Sequence, residues 1–174
     1  MLRLLHPNPK YIRSVFKAHH EQYQHGEITK EIWDETKSEI KDPVSFVKTI
    51  RNKSKDKGLA PGQLPFTRYW LIDGDEYIGT LRLSKNISQE MKYNEGNMGY
   101  QIRPSKRKKG YGSEVLRLGL LKAKKIGLKQ VYLNCSVDNT ASQKIIKKNR
   151  GRLINNKKQN TRDASSLHYV IDLK

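Results

Sequence analysis

The stretch Arg107-Lys-Lys-Gly-Tyr-Gly-Ser113 sets two glycines one residue apart at the end of a basic run and leads straight into an amphipathic segment. Glycine has no Cβ, so the chain can turn sharply there and other atoms can come close to the main chain. The first N–H groups of a following helix lack intrahelical acceptors and carry the positive end of its dipole. This combination predicts an anion site, and consecutive amides suit a pyrophosphate, whose oxygens take several N–H bonds at once. By itself the Gly110-x-Gly112 spacing also fits a tight turn and nothing more. It is not a P-loop, which needs Gly-x4-Gly-Lys-Ser/Thr, nor a dinucleotide fingerprint, whose third glycine would fall where Val115 stands. A bulky residue at Gly112 is predicted to obstruct the anion while leaving the helix intact.

The elements that must hold this stretch follow from periodicity. After Gly110 the apolar residues Val115, Leu116, Gly119, Leu120, Ala123 and Ile126 form one stripe, with Arg117, Lys122 and Lys125 opposite, so a helix should dock one face on a sheet. Upstream, Leu2 to Leu5 reads as a strand and Pro9 to Tyr23 as a helix with Ile12, Val15, Phe16 and His19 on one face. Asp42-Pro43 places a capping residue and a first-turn proline at the start of a second helix. The run from Arg51 to Pro65 has turn formers and charge without periodicity, and reads as a loop. Two strand-like runs flank Gly74-Asp75 as a hairpin, and a third runs to Pro104. Beyond the Gly110 helix come a strand ending near Val137, a helix from about Thr140 to Asn149, and two closing strands. The order predicts a mixed α/β (α+β) fold in one domain, a central mixed twisted sheet with about four helices on its faces. The strand–helix–strand alternation of the second half predicts parallel pairing there.

Composition bounds the function. The chain has 174 residues, 35% hydrophobic and 30% charged, which is enough for one real core. No apolar run approaches the ~20 residues of a membrane span, and Met1 to Lys10 lacks the apolar core of a signal peptide, so a cytoplasmic protein without a membrane partner is expected. The net charge of +18 invites a nucleic-acid reading. Only Arg103–Lys125 and Lys144–Lys158 concentrate it, however, with nine basic residues against one acidic and seven against none. A generally solvated basic surface is the simpler expectation, with a nucleic-acid partner as the alternative. Cys135 is the only cysteine, so no internal disulfide can form. His19, His20 and His25 follow neither the HExxH nor the zinc-finger spacing, and no metal is expected.

The sequence from Arg107 to Gly112 resembles the Arg/Gln-x-x-Gly-x-Gly/Ala signature of the GNAT superfamily, the acetyl-CoA-dependent N-acetyltransferases. The resemblance runs over about residues 66–173: a hairpin, the strand Gly96–Pro104, the signature, a helix, the strand Val131–Val137, and an Asn139-x-x-Ser142 helix leading to a further strand. Within the superfamily it is most similar to a bacterial subgroup of predicted acetyltransferases of undetermined substrate. The resemblance implies one acetyltransferase domain over residues 1–174. Residues 1–60 would supply the N-terminal strand and acceptor-side helices, and residues 66–173 the sheet and the acetyl-CoA core.

The implied roles are specific. Arg107 opens the signature, and the amides of Lys108, Lys109, Gly110, Tyr111, Gly112 and Ser113 would hold the pyrophosphate. Gln101, Ile102 and Arg103 would lie beside pantetheine, with the Ile102 amide polarising the thioester carbonyl. Asn139 and Ser142 would contact the cofactor from across the gap, although Asn139 reads equally as a helix N-cap and Ser142 as a first-turn residue. Many members carry a tyrosine seven residues after the asparagine to protonate the leaving thiolate, and this chain has Ile146 there. Tyr100, Tyr132 and Cys135 are the substitutes near the gap, with Tyr132 the expected acid. An amine of pKa ~10.4 must lose its proton to attack, and Glu95 is the nearest carboxylate for a base, or else an exposed turn residue. The activity implied is acetyl transfer from acetyl-CoA to a primary amine of a small molecule or protein by direct attack, in a monomer or homodimer. An RNA- or ribosome-linked GNAT-like protein and a non-catalytic CoA-binding domain are the alternatives.

Overall fold

The computed structural model describes residues 1–55, 59, 64–88, 96–154 and 166–173. Strand β1 (Leu2–Leu5) is followed by a 3-10 turn and three helices, α1 (Ile12–Gln24), α2 (Lys30–Glu39) and α3 (Pro43–Asn52). The strands β2 (Thr67–Asp73), β3 (Glu76–Leu83) and β4 (Met98–Ile102) come next. Then α4 (Tyr111–Lys125), β5 (Gln130–Ser136), α5 (Thr140–Lys148), β6 (Arg152–Leu153) and β7 (Ser166–Asp172) complete the order. Asp42 caps α3 as its sequence predicts, its Oδ1 accepting from the amides of Val44 and Ser45 at 3.1 Å each. Helix α2 has no counterpart in the sequence reading. Thr29 caps it, but only Trp33 and Thr36 are buried, so its apolar period is too thin to register.

Two sheets form, in the orders β1-β2-β3-β4 and β5-β7-β6. Every ladder among the described residues is antiparallel, including β5 with β7, so the expected parallel pairing is not what joins the second half. Among the described residues the two sheets are hydrogen-bonded to each other at one place. Asn97 N donates to Tyr132 O at 3.0 Å, Tyr132 N donates to Asn97 Oδ1 at 2.8 Å, and Gly96 bridges Leu133. Beyond this rivet no ladder links β4 to β5 among the described residues, and a gap opens between them.

One core lies between the strands and α4, where Leu71, Leu81, Val115, Leu116, Val131 and Ile146 are buried together. The other lies beneath α1 and α3, with Trp70, Ile72 and Tyr77 against Tyr11, Val15, Ala18 and Val47. Helices therefore cover both faces of the sheet. No helix among the described residues is long and apolar enough to cross a membrane.

Candidate active site

The loop from β4 to α4 is shaped by two left-handed residues, Lys108 (φ 60°) and Gly110 (φ 83°), the second capping α4. Its early amides are used up internally: Arg103 N donates to Ile78 O, Lys106 N to Arg103 O and Arg107 N to Pro104 O. The next five, Lys108 to Gly112, have no acceptor among the described residues. Ser113 N turns back to Gly110 O at 3.0 Å, which closes the first turn of the helix. A row of consecutive donors at the mouth of a 15-residue helix is a concave positive site. The loop is braced from the other face of the sheet. Arg107 donates from Nη1 and Nη2 to the two Glu27 oxygens at 2.5 and 2.7 Å, and from Nε to Ile102 O at 3.0 Å.

The site continues into the gap. Arg103 N donates to Ile78 O, and the β3–β4 register pairs Gly79 with Ile102 and Leu81 with Tyr100. Antiparallel alternation therefore turns the amides of Arg103, Gln101 and Gly99 towards β3 and those of Ile102 and Tyr100 towards the gap. A cleft of about 650 Å³ joins the loop to the gap, lined among others by Tyr100, Gln101, Ile102, Gly112, Ser142 and Ile145. Tyr100 Oη is buried beside the Ser142 side chain. Burial pushes this phenol up to about 12, with the Ser142 side chain and Cys135 as its polar neighbours. Burial also pushes the Cys135 thiol up.

The structure brings most of the expected residues to this cleft. Gln101, Ile102, Arg107, Lys108, Gly110, Gly112, Ser113, Asn139 and Ser142 all line it. Lys109 and Tyr111 can offer only their amides, because their side chains face a neighbouring concavity and Tyr111 Oη donates to Asp73 at 3.1 Å. The Ser113 amide is occupied by Gly110 and the Asn139 side chain caps α5, accepting from Ser142 N at 3.0 Å. Arg103 is a correction. Its side chain is 6% exposed and turned away from the cleft, paired with Glu21 and donating to Glu76 at 3.3 Å and to Tyr77 O at 3.1 Å. Tyr132 is another: its backbone forms the rivet, and its hydroxyl donates to Gln130 Oε1 at 2.7 Å, outside the cleft. Glu95 lies outside the described residues. Glu27, which no sequence signal marked, reaches the cleft from the α1–α2 connection, 80 positions from Arg107. No group of three or more metal-ligating side chains occurs among the described residues.

Helices cover both faces of a parted sheet, and a glycine-turned loop stands at the parting. The acetyltransferase (GNAT) domain family matches residues 2–152, and the chain belongs to that family. Solved structures share the fold at low identity. The ribosomal L7/L12 alpha-N-protein acetyltransferase RimL, solved with coenzyme A in a disulfide to one of its cysteines, aligns at a TM-score of 0.62 and 15% identity over 99% of this chain and 94% of that one. Campylobacter jejuni N-acetyltransferase PseH with acetyl coenzyme A aligns at 0.60 and 14% over 100% of both chains. The microcin C7 self-immunity acetyltransferase MccE with acetyl-CoA and AMP aligns at 0.65 and 17% over 98% and 92%. No curated protein matches the chain by sequence.

Proposed function

We propose that this chain transfers an acetyl group from acetyl-CoA to a primary amine, as one domain over residues 1–174. The observation that carries the reading is the row of five consecutive amides, Lys108 to Gly112, at the mouth of α4, which have no acceptor among the described residues. Those donors fit a pyrophosphate, and the cationic side chains of Lys108 and Lys144 at the cleft add charge of the right sign. Bound there, acetyl-CoA supplies an activated thioester. The Ile102 N–H, turned into the gap by the strand register, is aimed to stabilise charge on a carbonyl oxygen, a contribution worth ~3 kcal/mol in sites of this kind. Asn139 and Ser142 close the cleft from α5.

The acceptor side is the opposite face of the gap, beneath the helices within residues 1–60. The RimL match favours a peptide α-amine as the first acceptor class to test, with amino sugars and polyamines behind it. Cytoplasmic residence, as a monomer or homodimer, fits a chain whose single half-buried cysteine needs no oxidising compartment. Turnover of acetyl-CoA against a panel of peptides, amino sugars and polyamines, read by mass of the acetylated product, tests the reading. Acetylated product from one class supports it, and free coenzyme A with no product from any class contradicts it.

A further inference from the structure

We propose that the acceptor amine also carries an anion, a carboxylate or a phosphate, and that Arg68, beside Arg82, receives it on the acceptor face of the sheet. The inference rests on the acetyl-CoA reading above. The β2–β3 register sets Arg68 directly opposite Arg82, and the β3–β4 register sets Arg82 opposite Gly99. Trp70, two residues on from Arg68, belongs to the core beneath α1 and α3, so strand alternation puts this row on the face that the N-terminal helices cover. The two guanidiniums converge, their Cζ atoms standing 5.7 and 5.3 Å from the centre of the Phe66 ring. Like charges directly opposite each other destabilise a sheet. The Arg68 side chain is half-buried, and its guanidinium has no carboxylate partner among the described residues.

The neighbours of Arg68 do not cancel its charge. His19, on α1, is near enough to feel it, and burial together with that charge keeps the imidazole neutral at physiological pH. The His19 Nδ1 is buried without a hydrogen-bond partner among the described residues, a second unmet polar group at the same place. Phe66 offers the face of a ring. A half-buried cation without a counter-ion is accounted for when a ligand brings the anion, and a planar guanidinium takes a carboxylate or a phosphate through two parallel bonds. Space is open there, because a Cβ on Gly99, next to Arg82, would meet nothing within 4 Å. The separation from the chemistry also fits. Gly99 is three residues from the Ile102 N–H assigned to the thioester carbonyl, ~10 Å along β4. That is the span from a peptide α-amine to the side chain of its second or third residue, and the same cations disfavour a polyamine.

Acetyl transfer from acetyl-CoA to matched pairs of amines tests this: tetrapeptide amides with aspartate or asparagine in the third position, and phosphorylated glucosamine against glucosamine. The parent should favour the anionic member of at least one pair about 10-fold or more in kcat/KM, and the pair that responds tells a carboxylate source from a phosphate source. Arg68→Gln should reduce that preference to within about twofold through KM for the acceptor, with kcat for the neutral member and affinity for acetyl-CoA unchanged. Calorimetry of the preferred anionic amine with the coenzyme A complex, where no transfer can occur, should show affinity about 10-fold weaker in Arg68→Gln than in the parent. A parent that acetylates neutral or polycationic amines as readily as anionic ones, a parent that binds acetyl-CoA and acetylates neither anionic amine, or an Arg68→Gln variant that keeps the preference would each overturn the proposal. A parent that does not bind acetyl-CoA would instead overturn the reading beneath it.

Discussion

Gly112 and Ile145 face each other across the α4–α5 contact so closely that a Cβ on Gly112 would stand 2.5 Å from Ile145 Cδ1. The glycine that the sequence assigns to an anion's approach is therefore also a packing residue. The neighbour is the far end of a flexible side chain, so Gly112→Ala should be accommodated by a rotamer shift of Ile145. Gly112→Val should overpack the contact by about 1–3 kcal/mol. Thermal melts of the two variants check this, and a valine variant as stable as the parent would show the helices free to part. The sequence-based expectation of an undisturbed fold in Gly112→Val is thus replaced by a loss of both stability and acetyl-CoA affinity.

Arg103 and Arg107 lie four positions apart and should fail in different ways. Arg103 is buried and pairs with the partly exposed Glu21 and with Glu76, so Arg103→Ala leaves a partly desolvated carboxylate unpaired and should cost about 1–3 kcal/mol of stability. Arg107 is 43% exposed, its pair with Glu27 is worth at most about 1 kcal/mol, and it lines the cleft. Arg107→Ala should raise KM for acetyl-CoA with little change in melting temperature. Melts and kinetics of the two variants separate the roles.

Acid should weaken the fold in two stages. Burial, assisted by the charge of Arg68, lowers His19 to about 4, below its ordinary 6.5. The unfolded chain then binds a proton that the folded chain refuses, and stability falls as pH drops from about 6.5 to 4. Arg103 holds the Glu21 carboxyl down to about 2 from its ordinary 4.5, so that contribution is present above 4.5 and fades as pH falls towards 2. Melting curves against pH should show the first stage removed in His19→Phe and the second removed in Glu21→Gln.

Ile146→Tyr, which restores the family's usual residue, should not restore its chemistry. The side chain is 1% exposed, and a Cβ on Gly151 would already collide with it, so a phenol there has no room. The variant should melt lower than the parent by an amount typical of overpacking, ~1–3 kcal/mol, with no gain in kcat. A faster, equally stable variant would show that the position is open to the cleft.

What could be read from sequence was local. The Gly110 turn, the Asp42-Pro43 cap, the Gly74-Asp75 hairpin and the buried residues Val115, Leu116, Gly119 and Ala123 of α4 each carry their signal within a few residues. What escaped depends on distant partners. Arg103 reads as a cleft residue until Glu21, 82 positions away, is seen to hold its guanidinium. Glu27 reads as a loop acid until Arg107 is seen to hold it in the cleft. The separation of β4 from β5 was legible only through the family resemblance, because the Asn97–Tyr132 rivet that ends their contact joins residues 35 apart by one side chain and two amides.

The claim that the Lys108–Gly112 amides form a cofactor site is tested most directly by calorimetric titration of the intact protein with acetyl-CoA. The account predicts one site per chain, affinity between micromolar and sub-millimolar, and a melting temperature that rises with ligand concentration because only the folded chain binds. No heat and no shift in melting temperature at millimolar acetyl-CoA would contradict it, and those five amides would be the turn of a helix and nothing more.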